Sequence, residues 1–303
     1  MRHCVEVVAC VMCVIGMGFA TAAEPADTVE RFAAAGGKIT RNDTGVVTDL
    51  DLRACAVTND DLAAVAKLPG LVALRLSGKS GATTVDDAGL AHLAPLTTLR
   101  VLMLDHLWVS GEGLAAIAPL VNLEDLTLAQ TLVRDEDLAA VARFPKLRRL
   151  RLARTAVSGA GLAHLTGLEN LRDLDLSESV QVDDAALEHV GRLTSLRRLN
   201  LWRVPVGDAG VAHLAGLTEL EWLNLDNTLL TDTGLAHLAG LGRLRSLLIG
   251  STAVSSAGIG QLGGLIELRE LSLQRTGVDG GAMQRLRARL PDLSISLREP
   301  DGE

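Results

Sequence analysis

Leucine alternates with polar residues in short bursts along this chain, and each burst gives way to apolar positions three residues apart before the next begins. In Leu147-Arg-Arg-Leu150-Arg-Leu152 the leucines at 150 and 152 alternate with Arg149 and Arg151, a period of two that predicts a strand with one buried face. Thr155-Ala-Val157 then predicts a turn, and Ser158-Gly-Ala-Gly-Leu162-Ala-His-Leu165-Thr-Gly-Leu168 a short helix capped by Ser158. Gly167, Gly216 and Gly240 fall where a helix end accepts a left-handed residue, so they are expected as C-caps.

The same L-x-x-L-x-L unit returns at Leu196-Arg-Arg-Leu199-Asn-Leu201, Leu220-Glu-Trp-Leu223-Asn-Leu225 and Leu268-Arg-Glu-Leu271-Ser-Leu273. Its fourth position runs through Leu50, Leu74, Leu102, Leu126, Leu150, Leu174, Leu199, Leu223, Leu247 and Leu271, which makes ten units. Eight of the nine intervals are 24 or 25 residues; the ninth is 28, where Gly78 to Thr84 reads as a loop insertion, and one extra residue sits near Ser179 to Gln181. Each unit offers about seven aliphatic side chains, each worth roughly 1.5 to 3 kcal/mol if buried. Only stacking on neighbours takes them out of water, so stability is expected to be nearly one-dimensional.

These units resemble leucine-rich repeats, and the Gly-Leu-Ala-His-Leu helix at 89–93, 161–165 and 234–238 is similar to a bacterial short-repeat variant. The resemblance implies an α/β solenoid, with parallel strands on a concave face and short helices on a convex one. It also implies an asparagine after each strand whose amide links successive turns. Here Thr131, Thr155, Thr228, Thr252 and Thr276 stand in that place, with Cys55 in the first unit, and a hydroxyl ladder is expected instead. Val204 and Leu107 cannot supply a rung.

An open stack needs its ends covered. The expected organisation is a leader at 1–22, an N-terminal cap at 23–45, repeats at 46–292, and a C-terminal cap and tail at 293–303. Ala26 to Ala35 reads as a helix, Lys38 to Thr40 as a strand pairing with Val46-Val47, and Met283 to Leu290 as a closing helix before a partial strand at Leu293 to Leu297. Arg2 and His3, the apolar stretch Val7 to Ala20 and Ala20-Thr21-Ala22 form a secretory leader, its 14 apolar residues short of the roughly 20 that a membrane span needs. Three of the four cysteines lie there, which leaves Cys55 without a disulfide partner after cleavage. The protein is therefore expected to be exported and stabilised by packing alone.

Composition narrows the function. The 303 residues include no Tyr, 3 Trp and 3 Phe, so the core is built from aliphatic layers, and a formal net charge of -8 argues against a nonspecific grip on nucleic acid. Gly258-Ile-Gly260-Gln-Leu-Gly263 matches a dinucleotide-binding spacing, yet Gly258 aligns with Gly210 and Gly234, and the other two with Ala236 and Ala239, so all three read as small helix positions. His92, His164, His189, His213 and His237 share one helical slot, too widely spaced for a common zinc. Asp86-Asp87 and Asp183-Asp184 precede helices and read as caps. No catalytic, cofactor or metal site is expected.

What the repeat leaves free is the outward residues of the strands. Register places Arg151, Asp175, Asn200 and Asn224 in one row and Trp202 beside Asp226 in another, with Arg154, Arg198, Arg203 and Trp222 nearby. Trp and Arg are common anchors of binding sites, so these ten residues form the expected partner-binding patch of a monomeric, non-catalytic protein-recognition scaffold. Two alternatives stay open: carbohydrate or cell-wall binding through the tryptophans and amides, and a substrate receptor of a ligase-type complex. The ordinary reading of the same patch is that its Arg and Asp side chains merely pair with each other.

Overall fold

A computed structural model describes residues 25–297; the expected leader and the last residues of the tail, 298–303, lie outside it. Helix α1 (Pro25–Ala34) and strand β1 (Lys38–Arg41) open the chain. Strands β2 (Val47–Asp51), β3 (Ala73–Ser77), β4 (Val101–Asp105), β5 (Asp125–Thr127), β6 (Arg149–Arg151) and β7 (Asp173–Asp175) follow, then β8 (Arg198–Asn200), β9 (Trp222–Asn224), β10 (Ser246–Leu248), β11 (Glu270–Ser272) and β12 (Ser294–Ser296). All twelve form one open sheet in chain order, antiparallel from β1 to β2 and parallel thereafter. The fourth-position leucines pair rung by rung from Leu50 to Leu271, and Ile295 adds an eleventh. Each is essentially inaccessible within a continuous aliphatic core; only Ile295, at the open end, is half-buried.

The cap hairpin runs further than Val46-Val47, since Ile39 pairs with Leu50 itself, so the cap shares its sheet with the first repeat. Phe32 of α1 is buried against that end of the core. Opposite the sheet run α2 (Asn59–Val65), α3 (Asp87–Ala91), α4 (Gly111–Ala116), α5 (Leu138–Val141), α6 (Gly159–Leu162), α7 (Leu187–Val190), α8 (Asp208–Ala212), α9 (Asp232–Leu238) and the closing α10 (Gly280–Arg289). Between α9 and α10 there is only a 3-10 segment, Ile259–Gly264, which contains two of the three glycines of the dinucleotide-like spacing.

Two sequence expectations are corrected. Gly167, Gly216 and Gly240 are not left-handed; the left-handed glycines are Gly36, Gly45 and Gly81. Instead, Glu169 N–H bonds back to Gly167 O around Leu168 at φ -81 and ψ 74, an inverse γ-turn that drops the leucine into the core. The left-handed residues lie just after the strands, at His106, Gln130, Arg154, Glu178, Arg203, Asn227, Ser251 and Arg275. There the N–H of each from His106 to Ser251 reaches the next turn, as from Gln130 to Ala153 O and from Arg154 to Ser177 O.

The threonine row is not a ladder either. Thr131, Thr155, Thr228, Thr252 and Thr276 each donate to the carbonyl three residues back in their own turn, at 2.6 to 2.7 Å. A short β-turn brings that carbonyl nearer than anything in the neighbouring unit. In the related slots, Ser179 and Thr83 bond across to the preceding unit, through Leu152 O and Cys55 O, and Cys55 itself reaches Phe32 O in the cap.

The side-chain link between units lies instead at the helix starts. Asp87 accepts the N–H and the hydroxyl of Ser110 in the next repeat at 2.8 and 2.6 Å, and Asp135, Asp208 and Asp232 take Ser158, Thr231 and Ser255 in the same way. Asp184 takes the N–H of Gly207. Of each acidic pair, then, the second residue stitches to the following helix, while Asp86 caps its own helix and Asp183 accepts the N–H of Ala186 in the turn that leads into α7.

This stitch explains the glycine of Gly-Leu-Ala-His-Leu. A Cβ on Gly161 or Gly210 would stand 2.5 Å from the carboxylate of Asp135 or Asp184, and Gly113, Gly234 and Gly258 are confined in the same way by Asp87, Asp208 and Asp232. Where the preceding unit carries Gly111 or Gly159 in place of the aspartate, the glycine is replaced by Asp137 or Ala186. Each of those side chains fills the space a Cβ on the facing glycine would need.

Candidate binding surface

Register brings the expected patch together: Arg151 pairs with Asp175, Asp175 with Asn200, and Asn200 with Asn224. Local bonding then withdraws much of it. Asp175, Asn200 and Asn224 each accept the backbone N–H two residues on, at 3.0, 3.2 and 2.9 Å, which braces the turn after the strand. Asn224 and Asp226 are buried, and Asp226 also holds Gly250 N–H.

The charged members mostly pair with one another. Arg151 sits between Asp105 at 2.8 Å and Asp175 at 3.1 Å, and Arg154 forks onto Glu178, which Arg203 also approaches at 3.7 Å. The two tryptophans are half-buried and each lies under an arginine, Arg203 over Trp202 at 4.5 Å and Arg198 over Trp222 at 4.4 Å.

Only Arg198 and Trp222 of the ten line an open hollow, of 520 Å³, on the concave face. It is displaced toward later repeats and toward the starts of the strands. Its character comes from a row outside the ten expected residues, the second position of L-x-x-L-x-L: Arg172, Arg197, Glu221, Arg245 and Arg269. The signal was available, because arginine also holds that position at 100 and 148.

Arg245 donates twice to Glu267 at 3.2 Å, while the pairs among the lining groups themselves are longer. Glu221 is shared between Arg197 at 3.3 Å and Arg245 at 4.0 Å, Arg198 reaches Asp173 at 3.7 Å, and among the described residues Arg172 makes no ion pair. Burial pushes the carboxyl of Asp173 above its ordinary range against the pull of Arg149 and Arg198. Five guanidinium groups line the concavity with Asp173, Glu221, Glu270 and an indole, and Glu267 and Asp292 beside it pair with Arg245 and Arg269. Such a surface can hold carboxylates by forked hydrogen bonds.

No family profile and no curated protein matches the chain. Among solved structures, an internalin C2 of Listeria monocytogenes is similar, at 24% identity over 71% of this chain and 86% of that one, with a TM-score of 0.54. Another internalin of the same organism, InlF, is 17% identical over 91% of this chain and 95% of its own, with a TM-score of 0.45. Among the described residues no helix is long and apolar enough to cross a membrane. The rung-by-rung leucine register and the likeness to internalin C2 show that this protein has the leucine-rich-repeat fold.

Proposed function

We propose that the protein is an exported, non-catalytic recognition scaffold that holds an acidic stretch of a protein partner in its concave hollow. The observation that carries this is the arginine row at 172, 197, 245 and 269 beside Trp222, in which Arg172 makes no ion pair among the described residues and Glu221 is held only at 3.3 and 4.0 Å. A carboxylate arriving there would displace contacts of 3.3 to 4.0 Å with shorter charge-assisted bonds. The carbohydrate alternative loses support, since the indole face of Trp222 is already covered by Arg198 and the carbonyl oxygens of Asn200 and Asn224 are engaged.

Selection of a displayed random-peptide library on the purified chain is expected to enrich Asp- and Glu-rich sequences. Their affinity should fall about tenfold or more in Arg197→Glu/Arg245→Glu and weaken with added salt. Enrichment of neutral or basic sequences, or binding indifferent to the double variant, would overturn the assignment.

A further inference from the structure

A second surface lies on the edge where strands run into helices. Just before the buried residue that opens each helical segment, one side chain points outward: Trp108, Leu132, Ala156, Pro205, Leu229 and Ala253 in successive units. In the unit with the extra residue, Val180 and Gln181 share that place. Trp108 is 70% exposed, Val180 72%, Leu229 66% and Leu132 47%.

A minor backbone ladder joins some of these slots to the preceding unit, with Leu132 N–H on Val109 O, Leu229 on Val206 O and Ala253 on Leu230 O. The fold does not require apolar residues here. Thr84, Gln181 and Gly277 occupy equivalent positions, and Thr84 and Gly277 keep their ladder bonds, to Val57 O and Val254 O. Large apolar groups at such a site mark contact with something else.

Shape and charge select the occupant. Seven rungs at about 4.8 Å give a stripe roughly 30 Å long. With a width of about 10 Å it offers roughly 300 Å², well short of the ~800 Å² per partner of a stable globular interface, so a second copy does not fit. A single α-helix of about 20 residues does, since its length is about 30 Å and its 5.4 Å pitch sets close to one turn on each rung. The helix starts beside the stripe expose Asp86, Glu112, Glu136 and Asp183 against one cation, Arg134.

We infer that this edge docks a basic amphipathic helix of a protein partner, its apolar face on Trp108, Leu132, Val180 and Leu229 and its cationic flank toward those carboxylates. The mode is helix-on-stripe recognition and is independent of the concave hollow.

The test uses the full chain and two fluorescent peptides of about 20 residues, both made of leucine and lysine in equal composition, one with the leucines on a single helical face and the other with them dispersed. The amphipathic isomer is expected to bind about tenfold more tightly. Trp108→Thr and Leu229→Gln, which copy residues found in the same slots, should abolish that difference, while Arg197→Glu/Arg245→Glu should leave it intact. Equal binding of the isomers overturns the inference, as does a difference that survives both stripe variants. So does light scattering that shows a dimer of the native chain converted to monomer by Trp108→Thr, which would assign the stripe to a second copy.

Discussion

Replacing Gly113 by alanine tests the stitch between repeats. Alanine normally stabilises a helix interior by about 1 kcal/mol over glycine. Here the new methyl group would collide with Oδ1 of Asp87 and come within 3.3 Å of its Cα, so the carboxylate must leave. It then forfeits the N–H of Ser110 at 2.8 Å and its hydroxyl at 2.6 Å. At the low end for bonds to a charged group, suited to a half-exposed carboxylate, the two are worth about 3 kcal/mol together. Gly113→Ala should therefore cost about 2 kcal/mol, and Asp87→Gly about 3. In the Asp87→Gly background the methyl group meets no carboxylate, and the same substitution should stabilise by about 1 kcal/mol. The coupling between the two sites is then about 3 kcal/mol, at the upper end for neighbouring residues. Urea denaturation of the four variants, compared at a common slope, measures it. A cost for Gly113→Ala that agrees in the two backgrounds to within about 0.5 kcal/mol would refute the stitch as the reason for the glycine.

Other consequences are simpler. Gln130, left-handed at φ 55, has an exposed side chain; Gln130→Gly should relieve about 1 to 2 kcal/mol of backbone strain and lose roughly 0.5 to 1 in chain entropy, raising the midpoint of thermal unfolding slightly. Thr228→Val removes the 2.7 Å bond to Leu225 O and should cost about 1 kcal/mol in the same assay. Asp125 has a buried oxygen with no hydrogen-bond partner among the described residues, and burial raises its carboxyl above the ordinary 3.8. The folded chain therefore holds that proton more tightly than the unfolded one, and this group's contribution to stability declines as pH rises from 3.8 through the raised value. Asp125→Asn should stabilise at neutral pH, with the gain vanishing below pH 3.8, as chemical denaturation at the two pH values would show.

Strands were the most legible part of the fold in the sequence. The Leu150/Leu152 alternation has one solution, because a one-residue slip would turn every leucine to solvent. Which atoms a recurring slot bonds was not legible in the same way. Repetition shows that threonine returns at 131, 155 and 228, yet a hydroxyl can reach its own turn or the next, and only the backbone decides. The glycine of Gly-Leu-Ala-His-Leu was legible as a small helix position but not in its cause, which lies one unit earlier in Asp87, Asp135 or Asp208. The linkage was still present in the text of the chain, in the exchange of Asp-then-Gly for Gly111-then-Asp137 and Gly159-then-Ala186.

Function was least legible where side chains double as structure. Asp175, Asn200 and Asn224 brace their own turns, so the central row of the concave face is largely committed to holding the sheet's edge in shape. The residues left to vary are those whose side chains no turn enlists. Arg172, Arg197 and Arg245 are one such set, and Trp108, Leu132, Val180 and Leu229 are the other. In a solenoid every unit repeats the same obligations, so departures from polarity or from charge balance at unobligated slots are where recognition can be built without loss of the stack.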